Sequence, residues 1–195
     1  MKDNFMLESI VNLDTDLFLL LNGFHSPFWD TVMWVISEKL VWVPLYLAVT
    51  GWLIYKFRWK SVPVIVAAII LITLSDQLSV RLFKETIHRL RPCHNPEIQT
   101  LLHLVREHCG GRYGFISNHA ANSFAFAAFT SLVLKNRIYT RLIIPWAIIV
   151  SYSRIYLGVH YPADVIAGAL FGYLLALIIY YLFINIGRRF SFFPG

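Results

Sequence analysis

The run from Val165 to Gly187 carries no charged side chain, and neither does Leu142 to Ser153. An α-helix rises 1.5 Å per residue, so about 20 apolar residues cross the hydrocarbon of a bilayer. Three more apolar runs precede these two. Leu40 to Tyr55 ends at Lys56, Arg58 and Lys60; Val62 to Phe83 carries Asp76 and Arg81; Ala120 to Leu134 ends at Lys135, Arg137 and Arg141. The pattern predicts an all-α integral membrane helical bundle of five or six transmembrane helices. Composition agrees: 14% of residues are charged and 57% hydrophobic, whereas a soluble domain carries about 25% charged residues. A chain of 195 residues has room for a single domain, 1–195.

Ahead of the first clear span, Met6, Ile10, Leu13, Leu17, Leu20 and Phe24 share one helical face. This amphipathic pattern suits a helix lying in the interface. Phe28 to Ser37, introduced by Pro27, is a second short apolar piece. Residues 1–38 are therefore expected to be interfacial helices, with a broken first span as the alternative. The N-terminus lacks the basic region and cleavage site of a signal peptide, so the first spanning helix is expected to direct insertion.

Basic clusters at 56–60, 135–141 and 188–189 fall on one side of the alternation, which makes that side cytoplasmic. Segments 84–119 and 154–164 then face outward, yet they carry Lys84, Arg89, Arg91, Arg106, Arg112 and Arg154. Those cations need a reason other than topology. In a soluble chain the formal net charge of +6 would point to nucleic acid. On a membrane chain it fits anionic lipid and an anionic substrate, and no nucleic-acid partner is expected.

Three clusters lie on the outward side. In KETIHRLRP, Lys84, His88 and Arg91 share a face if the helix continues to Pro92. This is either a snorkelling helix end or an anion site made of a point charge and a guanidinium fork. In YGFISNHAANSFAF, Ser117 and Asn118 are helix-capping types, and backbone N–H groups at such an N-terminus bind phosphate. His119 would sit beside that anion, or be incidental to an ordinary cap. In SRIYLGVHYPAD, Pro162 suits the first position of a helix capped at Tyr161. Asp164 can then reach back to His160, either as a structural pair or to fix the tautomer of a nucleophile. Taken together, one lysine, two arginines, a helix N-terminus and two histidines fit phosphoryl transfer. No Walker loop or magnesium carboxylate cluster is present, so neither a metal nor a cofactor is expected.

These residues carry a resemblance. Lys84 to Arg91–Pro92, Ser117 with His119, and Ser153–Arg154 to His160 and Asp164 resemble the type 2 phosphatidic acid phosphatase family, whose signature is K-x6-RP, PSGH and SR-x5-H-x3-D. The middle element departs from it, with Ile116 for proline and Asn118 for glycine. The resemblance implies a helical-bundle phosphohydrolase without metal that works through a phosphohistidine. His160 would be the nucleophile oriented by Asp164, and His119 the general acid. Lys84, Arg91, Ser117, the Asn118 backbone and Arg154 would hold the phosphate. Arg89 is a secondary candidate for the phosphate or a headgroup, and His88 for a supporting contact. Asp76 and Arg81 are either membrane-embedded anchors or a structural pair.

Cys93 and Cys109 flank a loop with His94, His103 and His108. A disulfide is expected there if the loop faces an oxidising compartment; free thiols and a metal site are the alternatives. The expected partner is a phosphorylated lipid of a bacterial inner membrane, reached from the extracytoplasmic leaflet. Undecaprenyl diphosphate or a lipid A phosphate leads, with phosphatidylglycerol phosphate and phosphatidic acid as alternatives. A vanadium haloperoxidase-like enzyme and a non-enzymatic lipid-binding protein are remoter readings.

Overall fold

The computed structural model describes residues 2–189, so both ends of the expected 1–195 domain lie outside the described residues. The described chain is helical, with one isolated bridge between Leu90 and Tyr113. Helices α1 (Lys2–Gly23) and α2 (Pro27–Ser37) come first. They are followed by α3 (Val43–Phe57), α4 (Ser61–Leu78) and a short α5 (Glu85–Ile87). Then come α6 (Asn118–Leu134), α7 (Arg137–Tyr156) and α8 (Pro162–Arg189). The helical stretches Lys39–Ile87 and Pro162–Gly187 are long and apolar enough to cross a membrane.

Helix boundaries shift from the apolar runs, most clearly at α7. α7 starts at Arg137 rather than Leu142, because the Asn136 side chain accepts a hydrogen bond from the Tyr139 N–H and caps the helix there. Arg137 and Arg141 are exposed on the first turns. At the same end, Lys56 Nζ donates to the Leu134 carbonyl at 2.5 Å, where the negative end of the α6 dipole favours a cation. The first two basic clusters therefore gather at one end of the bundle, and the segments carrying the proposed chemistry lie at the other.

The apolar residues are distributed for lipid. Ile166, Leu170, Leu174, Ile178 and Leu182 of α8 are exposed. Its opposite face is small, with Gly168, Gly172 and Ala176 four residues apart. Lipid tails give helices little hydrophobic reason to associate, so small residues permit the close approach that dispersion requires. A Cβ at Gly172 would run into the Ala121 backbone of α6, and one at Gly168 would lie 2.5 Å from the Ser117 carbonyl oxygen. Gly172→Ala should lower unfolding stability in detergent by roughly 1–3 kcal/mol through overpacking. An unchanged thermal midpoint would refute so close a contact.

α1 and α2 form a collar at the chemistry-bearing end. The face Met6, Ile10, Leu13, Leu17, Leu20 and Phe24 does not pack on the protein; all six are exposed. Asp14, Phe18 and Asn22 are the buried side instead. Asn22 Nδ2 donates to the Tyr156 carbonyl at 2.8 Å and the His103 carbonyl at 2.9 Å. From α2, Asp30 accepts from the Tyr156 hydroxyl at 2.7 Å.

Candidate active site

Helical spacing is not what brings Lys84 and Arg91 together. The π-helical turn Ser79–Lys84 carries Lys84, and His88 breaks the helix in left-handed backbone at φ 53°. Arg91 follows in extended backbone, the conformation favoured before proline. Both nevertheless line a cavity of about 870 Å³ together with Asn118, His119, Arg154 and His160. The rest of its wall is largely apolar, including Val49, Leu53, Ile69, Ile72 and Phe126. A second cavity of about 410 Å³ shares Ser37, Lys39, His119 and Arg154 with the first.

The turn between α7 and α8 builds the other side. Gly158 takes φ +81°, which a Cβ would disfavour. The chain then folds back so that the Val159 and His160 N–H groups donate to the Arg154 carbonyl at 3.1 and 3.2 Å. His160, 2% exposed, places Nδ1 3.4 Å from Asp164 Oδ2. The same carboxylate oxygen accepts from the Tyr161 N–H at 3.1 Å, an acidic side chain reaching back to the cap of its own helix. Burial, with Arg91, Arg154 and Lys84 nearby, holds the His160 imidazole well below the usual histidine value. This favours the neutral imidazole, the form a nucleophile needs.

Buried donors cluster around this end. Arg91 Nε, Arg154 Nε and Ser117 Oγ are buried and have no hydrogen-bond partner within the protein. Leaving one such group unmet costs about 1–3 kcal/mol. Arg91 and Arg154 line the cavity with Lys84, and unmet guanidinium donors are what an anion site requires, whereas Ser117 is fully buried next to Asn118 and does not itself line the cavity. Ser37 at the end of α2 steadies two of the residues involved: its carbonyl oxygen lies 3.2 Å from His119 Nε2, and its hydroxyl accepts from Arg154. Among the described residues no three His, Cys, Asp or Glu side chains gather as a metal site needs.

The family model of the PAP2 superfamily matches residues 64–188. The chain belongs to the PAP2 superfamily. It is 43% identical over 170 residues to a lipid A 4'-phosphatase of Bacteroides thetaiotaomicron, covering 86% of this chain and 75% of that protein. A lipid A 4'-phosphatase of Porphyromonas gingivalis is 37% identical over 184 residues, covering 94% and 78%. The transmembrane PAP2-type phosphatidylglycerolphosphate phosphatase of Bacillus subtilis shares the fold, with TM-score 0.68 at 21% identity over 93% of this chain and 87% of that one. This PAP2 protein is accordingly a membrane lipid phosphatase, a phosphoric ester hydrolase.

Not every residue picked out in the sequence reaches the cavity of this PAP2 protein. Arg89 does not line the cavity: Nη1 donates to Asp164 Oδ1 at 2.8 Å and Nη2 to Asp14 Oδ2 at 2.6 Å. Its guanidinium also lies 4.0 Å from the Tyr161 ring centroid. Arg89 thus serves to neutralise Asp164, which is fully buried and needs a partner charge. His88 is exposed and packs edge-on against Tyr113, with centroids 4.7 Å apart. Cys93 and Cys109 form a disulfide with Cα atoms 5.9 Å apart. The Cys109 carbonyl lies 3.4 Å from Arg91 Nη1, so the bridge stands directly behind that guanidinium.

Two contributors escaped the sequence reading. Asp14 of α1 accepts from Arg89 and from the Ala163 N–H at 2.8 Å, capping α8 from another helix. Ser37 has the contacts described above. Neither has a local signal, since each matters through a partner 75 or more positions away.

Proposed function

We propose that this PAP2 phosphatase removes a phosphate monoester from lipid A through a phosphohistidine. The observation that carries this reading is that Lys84, Arg91, Arg154 and two histidines line one cavity of about 870 Å³ whose walls are largely apolar. A phosphate fits the cationic end and acyl chains fit the walls. The names of the two relatives at 43% and 37% identity favour lipid A among phosphorylated lipids.

In this mechanism Lys84, Arg91, Arg154, the Ser117 hydroxyl and the Asn118 backbone N–H bind the phosphoryl oxygens and balance charge as it develops. His160 Nε2 attacks phosphorus in line, while Nδ1–H donates to Asp164. The P–O ester bond breaks, and His119 gives its proton to the leaving sugar oxygen. His119 then takes a proton from water, whose oxygen attacks the phosphohistidine. The P–N bond breaks, inorganic phosphate leaves and His160 is restored. No step uses a metal.

The reading places five spans in α3, α4, α6, α7 and α8 of a bacterial inner membrane, with α1 and α2 in the outer interface. Lipid then enters sideways at headgroup depth on the extracytoplasmic side. The test is phosphate release from lipid A, undecaprenyl diphosphate, phosphatidylglycerol phosphate and phosphatidic acid in detergent containing EDTA. Lipid A should give the highest kcat/KM, with EDTA without effect and vanadate inhibiting. Loss of activity in EDTA sinks the metal-free mechanism, and a higher kcat/KM on another lipid displaces lipid A.

A further inference from the structure

Asn118 stands where the family signature has glycine, and its side chain has a specific partner. Nδ2 donates to Asp76 Oδ1 on α4 at 2.9 Å. Asn122, one turn further along α6, donates from Nδ2 to the same oxygen at 3.3 Å. These two bonds orient both amides. The Oδ1 atoms of Asn118 and Asn122 are buried and have no hydrogen-bond partner within the protein. All three residues line the large cavity, as do Gln77, Thr73 and Lys84, and the charge of Asp76 acts on the Lys84 ammonium.

The cavity therefore has two polar regions of opposite character. One is made of cations and unmet donors and takes a phosphate. The other holds the Asp76 carboxylate and the two unmet amide oxygens of Asn118 and Asn122, which are acceptors. A staple holding α4 against α6 would account for the two donated bonds. It leaves both carbonyl oxygens buried without a donor, which a staple alone does not require.

We propose that Asp76, Asn118 and Asn122 form an acceptor subsite for the hydroxyl or amide N–H donors of the sugar that carries the phosphate. An acylated amino sugar brings such donors right beside its phosphoester, whereas a diacylglycerol or isoprenoid phosphate brings none. The subsite rests on the lipid A reading above and deepens it, because it makes the sugar, and not the acyl chains alone, the recognised part. A site built to hydrogen-bond a substrate OH or NH rejects an analogue that lacks it, since its buried acceptors are then left unpaired.

The test compares Asn122→Ala and the near-isosteric Asp76→Asn with wild type, on lipid A and on dioleoyl phosphatidic acid in the same detergent. Turnover of phosphatidic acid reports folded enzyme. The ratio of kcat/KM for lipid A to that for phosphatidic acid should fall about tenfold or more in each variant, the discrimination a hydrogen-bonding site supplies. A ratio unchanged within about twofold overturns the subsite, whether both activities fall together, as loss of a staple would cause, or neither moves. A wild-type enzyme with no preference for lipid A overturns the substrate reading and the subsite together. A preference that survives both substitutions overturns the subsite alone.

Discussion

His160→Ala is expected to lower kcat by at least about a thousandfold on any phosphorylated lipid the enzyme accepts, the scale at which removal of a nucleophile is felt. The imidazole is almost wholly buried, so the substitution removes the reacting nitrogen and also leaves Asp164 with one partner fewer. Arg89 and the Tyr161 N–H still hold that carboxylate, so the fold should survive. Phosphate release from purified protein, with circular dichroism to check folding, is the measurement. A well-folded variant that retains a tenth of the activity would remove His160 from the mechanism. The same residue sets a pH expectation. Its folded-state pKa lies below the usual value, so the neutral, nucleophilic form persists as pH falls through the ordinary histidine range. The acid limb of kcat/KM in the wild type should therefore lie below about pH 6.5. A limb at or above that value would show that burial and the cations around His160 do not act as the geometry implies.

Arg154→Ala should reduce kcat by about a hundred- to a thousandfold, the usual loss when one preorganised donor to a developing oxyanion is removed. Arg154 sits between both cavities, tied to the Ser37 hydroxyl by one arm and with Nε unmatched. Lysine restores the charge and not the fork, so Arg154→Lys should recover part of the loss at most. If the contact strengthens in the transition state, kcat and kcat/KM will fall together. A rise in KM with kcat unchanged would instead make Arg154 a ground-state anchor for the lipid.

The spaced elements around Lys84, Ser117 and His160 were legible as chemistry because each is local: a few residues, a turn and a helix start. Their convergence was inferred from the loop charges, which put all three on one side, and from the family pattern, but for Lys84 and Arg91 the reason inferred from helical spacing was wrong. His88 ends the helix between them. The apolar stripe of α1 was read correctly as a face, but that face points outward. In water an apolar periodicity marks the side that packs, whereas in lipid it marks the side that meets solvent, and the polar Asp14 and Asn22 make the contacts. The small-residue spacing Gly168, Gly172, Ala176 was present in the sequence as a packing signal and would have identified the α6–α8 contact. Asp14, Ser37 and the Asp76–Asn122 bond depend on chain folding over long separations, which no window of sequence contains.

The bridge from Asp14 through Arg89 to Asp164 also bears on what counts as a unit in this protein. The family model begins at residue 64, after α1, α2 and α3 have already passed. Yet Asp14 caps α8 and shares Arg89 with the buried carboxylate, and Ser37 holds Arg154 and faces His119. The stretch matched by the family model is thus shorter than the stretch that contacts the candidate site, and the lipid A 4'-phosphatases align with this chain well beyond that model, over 86% and 94% of it. Trimming this chain to residues 64–188 would keep every signature residue and discard side chains that hold them in register.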